Sequence, residues 1–400
     1  MIKRLLMALT LVTATVDLYA VDLDEAGTLT LTGFYQITGA EVLSGSSSMT
    51  SSPWKFQQPF ANPSIATWTC PCSIQNWEYA SVYEKSKGFQ IDQESLAGIQ
   101  IKKEFNANVS ATAQVLVRAN NPNDHSRPTV DWAYLTWVPE ENSPWTVQVG
   151  KFRIPLFYYS DYLYIGYAYQ WVRPSSDVYG WPIFDYTGGN IGYRGQIGLS
   201  DWTLNSQVWS GSSTSNSDIY DTQIYYGFPT NESWKKIVGG YASVTNNIID
   251  VRAMIMQYRD DIWQNGPGGQ RQVVSGVDHL FTRIEGLSFN LDYDHFIVRN
   301  ELDRSQQYSS TPGVGNVYKY MLTGVGYNLG TVTPMYTFSK YRYITPPIEG
   351  RDTQTFSVRW DFRKNTALKF QYDHSRDASQ YAVPFFGDSS LASVSLQGIF

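Results

Sequence analysis

The sequence has 400 residues and a net charge of −6 at neutral pH, with charged side chains at only 16% of positions. Aromatic residues make up 15% of it, a composition that is unusual for a large soluble core and typical of strands that are apolar on one face only. The mildly acidic balance gives no indication of a nucleic-acid surface.

The amino-terminal segment has the layout of a secretory signal peptide. A short basic start precedes a mostly apolar run over 5–16, and Ala20 offers a small residue for cleavage. The run is too short to span a bilayer and Asp17 follows it, which disfavours the alternative, a transmembrane anchor. We expect residues 1–20 to be removed near Ala20, leaving one domain over 21–400.

Alternating polar and apolar residues bounded by turn residues predict about sixteen β-strands. No segment after the leader has the apolar length of a spanning helix, so strands must carry any membrane-spanning part. The predicted strands lie near 28–40, 90–103, 107–119, 128–138, 144–152, 188–199, 202–211, 233–245, 249–260, 274–285, 287–299, 317–329, 331–341, 352–363, 366–376 and 389–400.

The predicted connections alternate between tight and long. Tight turns are expected at 104–106, 139–144, 200–201, 246–248, Gly286, Gly330 and 364–365. Long loops are expected at 41–89, 120–127, 153–187, 212–232, 261–273, 300–316, 342–351 and 377–388. This segregation predicts an all-β fold, a transmembrane antiparallel up-and-down β-barrel in the bacterial outer membrane with both termini on the periplasmic side.

The ends of the predicted strands carry two further signals. The last strand places Val394, Leu396 and the terminal Phe400 on one face, as expected for a strand that closes a barrel. The tripeptide Tyr-Asp-His occurs at 293–295 and again at 372–374. Each copy is predicted to lie several residues into a rising strand, near the outer membrane interface, where amphipathic rings are favoured.

The cysteines are Cys70 and Cys72, separated by one proline. In an oxidising compartment we expect a small loop disulfide. Metal binding is the alternative, but two thiolates without a nearby His are an incomplete zinc set. We therefore expect no metal and no cofactor.

The predicted fifth strand ends in Gly150-Lys151-Phe152-Arg153-Ile154-Pro155, and a tyrosine-rich stretch then leads to Trp171-Val172-Arg173-Pro174. In these residues the chain resembles the general Gram-negative outer-membrane porin superfamily, in particular the phosphate- and dicarboxylate-selective branch. The resemblance implies a homotrimer of sixteen-stranded barrels whose third exterior loop folds inward to form a constriction. The chain departs from strongly phosphate-selective relatives, which line the pore with a ladder of basic residues.

Charged residues near this motif are the candidates for controlling a pore. We expect Lys151, Arg153 and Arg173 to attract anions, with Asp161 and Asp177 as counter-charges. Alternation places Lys151 and Arg153 on the outward face, so a bulge near Gly150 is needed to turn them inward. The alternative is that these residues pin the loop to the wall by ion pairs, or lie at the rim with their charges in water.

Strand parity predicts further charges inside the barrel, which would create a transverse field if basic and acidic arrays face each other. The basic candidates are Lys102, Arg118, Arg194, Arg252, Arg283, Arg359 and Lys369. The acidic candidates are Asp131, Asp292, Asp294, Asp361 and Asp373.

The predicted function is a water-filled channel for passive diffusion of small hydrophilic solutes, with anion or dicarboxylate preference and no enzymatic activity. Expected partners are outer-membrane lipid and lipopolysaccharide, the solutes, and two further copies of the chain. One alternative is an adhesin that binds through loop 41–89, which carries Trp54, Trp68 and Trp77. A barrel hydrolase is disfavoured because His125, His279, His295 and His374 lie in no nucleophile motif.

Overall fold

A computed structural model describes residues 21–47, 70–76, 81–120, 128–180, 183–215, 229–274, 276–308, 315–345, 348–380 and 387–400. Sixteen strands in these residues form one barrel, numbered here in chain order. They are β1 Leu29–Gly45, β2 Leu96–Glu104, β3 Val109–Arg118, β4 Thr129–Trp137, β5 Trp145–Arg153, β6 Asp185–Gln196, β7 Thr203–Ser215, β8 Asn231–Thr245, β9 Ile249–Asn265, β10 Leu280–Tyr293, β11 Phe296–Tyr308, β12 Gly315–Tyr327, β13 Val332–Tyr343, β14 Glu349–Arg363, β15 Thr366–Asp377 and β16 Ser389–Ile399.

The barrel is closed, which confirms the fold predicted from the sequence. Each strand pairs antiparallel with the next, and β16 pairs with β1. The terminal Phe400 continues this last pairing, because its backbone N–H donates to the carbonyl oxygen of Gly33 and its carbonyl oxygen accepts from the Gly33 N–H, both at 2.8 Å. Closure satisfies the backbone of every barrel strand and leaves no free sheet edge.

The outer face carries an apolar belt. Its exposed members include Ile99, Leu135, Val149, Ile191, Val208, Ile255, Leu287, Leu302, Val325, Tyr336 and Phe356. On the tight-turn side the exposed residues are largely aromatic: Phe105, Trp137, Trp145, Tyr293, Phe296, Tyr327 and Trp360. Inward-facing residues alternate with these along each strand. An apolar band edged by aromatic rings matches the needs of a barrel in a bilayer.

The connection between β10 and β11 corrects the prediction from sequence. A tight turn was expected at Gly286, but β10 continues through that residue and the turn lies at Asp294 and His295. Asp294 has φ +55°, a conformation that Asp tolerates better than most residues. Inside the strand Gly286 leaves room for the Asp303 side chain, because a Cβ there would lie 2.3 Å from Asp303 Oδ1. The tripeptide 293–295 therefore lies at the tight-turn end and not at the outer interface.

The other connections follow the predicted alternation in most places. Tight connections lie at 105–108, 138–144, 197–202, 246–248, 328–331 and 364–365. Long ones lie at 46–95, 119–128, 154–184, 216–230, 266–279 and 378–388. Two loops expected to be long, near 300–316 and 342–351, shrink to 309–314 and 344–348 because the flanking strands extend further than alternation indicated.

The first long loop contains a small hairpin of two strands, Cys72–Asn76 and Ser81–Glu84. Cys70 and Cys72 form a disulfide at its start. The three tryptophans that motivated the adhesin alternative, Trp54, Trp68 and Trp77, lie outside the described residues.

The amino-terminal end of the described chain is fixed to the barrel on its tight-turn side. Val21–Asp22 pairs with β1, and Lys103 of β2 donates to Asp24 Oδ2 at 2.8 Å. The predicted signal peptide, 1–20, lies outside the described residues. None of the helices in the described part of the chain is long and apolar enough to cross a membrane.

Candidate functional site: the loop inside the barrel

The connection between β5 and β6 folds into the barrel, and we call its described residues, 154–180 and 183–184, the lumen loop. It folds inward because its aromatic and aliphatic side chains pack against the inner wall of the barrel. Phe157, Trp171 and Val178 are each at most 1% exposed, in one cluster with inward-facing wall residues. The wall members of that cluster are Trp209, Trp234, Ile237, Met254, Met256, Tyr258, Ile284, Tyr320, Leu322 and Met335. The loop thus has a hydrophobic core with the wall from β7 to β13.

Arg153 lies at the foot of the lumen loop and is buried. Its Nη1 donates to Asp131 Oδ1 at 3.0 Å and its Nε donates to the carbonyl oxygen of Ser160 at 3.0 Å. Its guanidinium also lies over the ring of Tyr164, 4.3 Å from the centroid. The predicted bulge near Gly150 is absent from the described register, since Gly150 pairs regularly with β4 and β6. The irregularity is in β4, where Asp131 turns inward.

Arg173 ties the far end of the lumen loop to three other segments. Its Nε donates to both oxygens of Glu94, at 2.8 and 2.7 Å. Its two terminal nitrogens donate to Asp373 Oδ2 on β15 at 3.1 Å and to Ser393 Oγ on β16 at 2.8 Å. All three charged side chains are at most 6% exposed. A charge this buried is tolerated only when paired and hydrogen-bonded, as here.

Asp177 is held in the same way from β13 and β14. It accepts a hydrogen bond from Arg351 Nε, and Ser339 Oγ donates to it at 2.7 Å. Arg351 Nη2 in turn donates to Ser176 Oγ at 2.6 Å. The carboxylate of Asp177 is therefore neutralised by Arg351 of the wall. From the sequence we expected it to be a counter-charge to the basic residues around Arg173.

Wall cations also hold the backbone of the lumen loop. Lys369, fully buried, donates to the carbonyl oxygens of Gly166, Tyr169 and Trp171, at 2.6 Å and 2.9 Å for the first and last. Arg359 donates to the carbonyl oxygens of Tyr167 and Tyr169 at 2.7 and 3.0 Å. Arg252 donates to that of Pro155 at 2.8 Å. Because these contacts use backbone acceptors, they hold the path of the loop whatever its side chains are.

Sequence reasoning missed several residues that complete this attachment. Glu301 on β11 accepts from the Tyr158 N–H at 2.7 Å and from the Tyr179 hydroxyl at 2.5 Å. Trp171 Nε1 donates to Thr337 Oγ1 at 2.8 Å. Glu301 was missed because the sequence placed it in the long loop expected at 300–316, whereas β11 runs from Phe296 to Tyr308.

The remaining predicted charges occupy different places. Lys151 pairs with Asp185 at 2.7 Å and is half-buried. Three others face the interior: Lys102 pairs with Glu104 at 2.7 Å, Asp292 with Arg299 at 2.8 Å, and Asp361 with Arg359 at 2.8 Å.

Two other predicted lumen residues, Arg118 and Arg194, lie in different surroundings. Arg118 lies over the Tyr164 ring, 4.6 Å from its centroid, and Arg194 is exposed at the tight-turn side of the interior. Two predictions are wrong. Arg283 faces outward beside Glu285, and Asp294 lies in the turn, both because β10 ends later than expected.

Asp161 differs from the other charged residues of the lumen loop. It is half-buried, and its Oδ1 accepts no hydrogen bond from the described residues. Burial raises the pKa of its carboxyl, and the positive charges of Arg252 and Arg153 oppose that shift. The neutral form is therefore favoured over a wider pH range than for an Asp in water.

Taken as a set, these contacts attach the lumen loop to both sides of the barrel. Its hydrophobic core lies against β7–β13, and its ionic contacts reach β9, β11 and the wall from β13 to β16. The loop therefore occupies part of the barrel interior and is fixed there by contacts to several strands.

No protein-family model matches the sequence, and a comparison with curated proteins finds no match. The fold, in contrast, is similar to solved structures. OmpT of Vibrio cholerae, an outer-membrane-expressed protein, has a TM-score of 0.55 at 9% identity, covering 96% of this chain and 100% of that one. The anion-selective porin from Comamonas acidovorans has a TM-score of 0.54 at 11% identity, covering 93% and 99%.

A third solved structure agrees with these two. OmpF of Salmonella typhi, in complex with daunomycin, has a TM-score of 0.55 at 12% identity, covering 93% of this chain and 97% of that one. At such low identities the similarity shows the fold alone. The chain shares the closed β-barrel fold of these three proteins.

Proposed function

We propose that the protein is an outer-membrane porin through which small hydrophilic solutes diffuse passively. The observation that carries the proposal is one loop, 154–184, fixed inside a closed barrel whose outer face is apolar. Strands surrounded by lipid need all their backbone hydrogen bonds satisfied, and a closed barrel achieves this. The polar side chains that point inward need water or hydrogen-bonding partners. The space left beside the loop would be the solute path, and its width would set the size limit.

In this proposal Arg153, Arg173 and Asp177 fix the constriction and do not bind the solute. Each is at most 5% exposed and is paired with a residue of the wall or the first loop. Rigid attachment matters for a sieve, because a loop that moved would change the limiting width. This function corresponds to the pinning alternative considered from the sequence.

The anion or dicarboxylate preference has weaker support than the channel itself. Lys151, Arg153 and Arg173 are each paired with a carboxylate, so little of their charge reaches the solute. Arg194, exposed inside the barrel, has no carboxylate partner among the described residues. We therefore propose a mild preference for anions that originates at the tight-turn opening and not at the lumen loop.

For location and assembly we propose the outer membrane, after cleavage near Ala20, and a homotrimer. The support for the first is the apolar belt with its aromatic edge. For the second, a related fold, OmpT of Vibrio cholerae, is described in a trimer form at a TM-score of 0.53 and 9% identity. Contact with outer-membrane lipid and lipopolysaccharide follows from the same placement.

A barrel hydrolase remains the alternative from another class, and the geometry gives it little support. His374 Nδ1 lies 3.0 Å from Ser390 Oγ, a serine–histidine contact. No carboxylate of the described residues forms an ion pair with His374, so the third member of a triad is missing. His279 pairs instead with Asp261, and His125 lies outside the described residues.

Swelling of liposomes that contain the folded mature protein tests the proposal. Uncharged sugars of increasing size should enter at rates that fall steeply with size. Liposomes with heat-unfolded protein provide the control for leakage. Uptake that does not depend on size, or no uptake by liposomes that contain correctly folded barrel, would contradict a sieving channel.

A further inference from the structure

Three cations stand side by side on the outer wall of β11, β12 and β13. Arg304 pairs in register with Lys319, and Lys319 pairs in register with Arg342. Residues directly opposite each other on neighbouring strands have Cβ atoms about 4.5–5.5 Å apart. Lys340 lies two residues before Arg342 on the same face of β13. We call these four residues the basic row.

The basic row faces away from the lumen. Tyr320, next to Lys319, is buried in the cluster formed with the lumen loop, and Ser305, next to Arg304, is fully buried. Since successive side chains of a strand point to opposite faces, Lys319 and Arg304 point outward. Both are exposed, and Lys340 and Arg342 are half-buried.

The four positive charges of the basic row are only partly balanced by protein, although Glu285 also lines the cleft that they share. Arg342 pairs with Asp352 at 2.7 Å, while Arg304 donates to a neutral acceptor, Gln306 Oε1, at 2.8 Å. Lys319 and Lys340 form no ion pair with a carboxylate of the described residues. Glu285, the acidic residue opposite Arg304, is itself paired with Arg283. Like charges directly opposite each other destabilise a sheet, so this row is unfavourable without an anion.

The basic row lies at the edge of the apolar belt. One step toward the tight turns, the outward residues are Leu302, Met321 and Phe338. Leu302 and Met321 line a shared outer cleft of about 510 Å³ together with all four cations. The cleft therefore offers cations at one end and aliphatic surface at the other.

We propose that this cleft binds a phosphate-bearing lipid of the outer leaflet. The phosphate oxygens accept hydrogen bonds from Arg304, Lys319 and Lys340, and the acyl chains pack on Leu302 and Met321. A free anion would satisfy the cations but would leave the aliphatic part of the cleft uncovered. The inference rests on the proposed membrane placement and concerns a surface that the solute path does not touch.

The test compares three ligands that all contain a phosphate group. Folded mature protein in zwitterionic detergent is titrated with dioctanoyl phosphatidic acid, with dioctanoyl phosphatidylcholine and with inorganic phosphate, and binding is followed by native mass spectrometry. The variant is Lys319→Gln with Lys340→Gln. The matched control, Lys85→Gln with Lys87→Gln, removes the same charge from exposed residues of the first loop.

The proposal predicts that phosphatidic acid binds more tightly than the other two ligands, and that the Lys319 and Lys340 variant weakens it by roughly tenfold or more. The control should retain wild-type affinity. Equal loss in the control, or unchanged affinity in the variant, would overturn the site. Inorganic phosphate that binds as tightly as the lipid would make it a free-anion site, and phosphatidylcholine that does so would make it merely apolar surface.

Two further measurements keep these outcomes interpretable. Heat-dependent mobility in gels shows whether each variant is folded, and Arg304→Gln replaces the double variant if the latter fails to fold. Channel conductance of the variant should be unchanged, because the basic row lies outside the lumen. The conductance of the wild type and its size-dependent solute uptake test the proposed function, whereas lost lipid binding with intact conductance bears on this inference alone.

Discussion

Arg173 and Glu94 join two loops that lie on the same side of the barrel. The guanidinium of Arg173 in the lumen loop contacts both carboxylate oxygens of Glu94, with the shortest distance 2.6 Å. Both side chains are at most 6% exposed, and Tyr83 also donates to Glu94 at 2.8 Å. The position of the lumen loop therefore depends on a contact between the first and third loops.

Arg173→Ala should loosen the lumen loop. The substitution leaves Glu94 and Asp373 buried without their cation, which costs about 3–5 kcal/mol for a pair of this kind. We expect larger and noisier single-channel conductance together with a lower temperature of unfolding in detergent. Lys364→Ala, at the tight turn between β14 and β15, is the control. Conductance indistinguishable from wild type would show that Arg173 does not hold the loop.

Single substitutions of Arg153 and Asp131 should shift the ion selectivity of the channel in opposite directions. Arg153→Ala leaves an unpaired carboxylate and should shift the reversal potential in a KCl gradient toward cations. Asp131→Asn removes the negative charge opposite the Arg153 guanidinium and should shift the reversal potential toward anions. The variant with both changes should return close to wild type. Shifts of the same sign from both single variants would contradict the paired arrangement.

Gly166 is predicted to be essential for close packing of the lumen loop against the barrel wall. A Cβ there would lie 2.4 Å from Gln36 Oε1 and 2.7 Å from the Gln397 side chain, while the Gly166 carbonyl holds Lys369. Gly166→Ala should lower stability by about 1–3 kcal/mol in thermal unfolding. The inward-facing Gly192, whose nearest neighbour would be 3.8 Å away, is the matched control. Equal tolerance of both substitutions would contradict the close packing.

The raised pKa of Asp161 predicts a dependence on pH. Burial favours its neutral form, so this residue contributes stability below the ordinary Asp pKa, and that contribution is lost as the pH rises through the raised value. Asp161→Asn should therefore increase stability at neutral pH relative to wild type and have little effect in acid. Unfolding temperatures across a pH series measure this. A variant that is less stable at neutral pH would show that the ionised carboxylate is needed.

The architecture was accessible from the sequence because strand alternation and the apolar outer face follow from the same physical requirement. Most strands, the closing role of the carboxy-terminal segment and the existence of a long loop after β5 could be predicted. The turn predicted at Gly286 was wrong because Gly is common both in turns and at strand positions where a neighbouring strand approaches closely. That error reversed the predicted facing of Arg283, and the long loop expected at 300–316 concealed Glu301.

The detailed contacts of the lumen loop could not be predicted for a different reason. Lys369 binds three backbone carbonyl groups, and backbone acceptors have no sequence signature. Arg173 and Glu94 are paired across two loops whose paths depend on packing. The basic row on the outer wall becomes visible only when the register of β11 with β12 and of β12 with β13 is known.

Single-channel recording in planar bilayers is the most direct test of the central claim, a barrel narrowed by a fixed internal loop. The folded mature protein should give discrete conductance steps, and Arg173→Ala should change their size. Correctly folded protein that inserts into the bilayer without conducting would contradict the account.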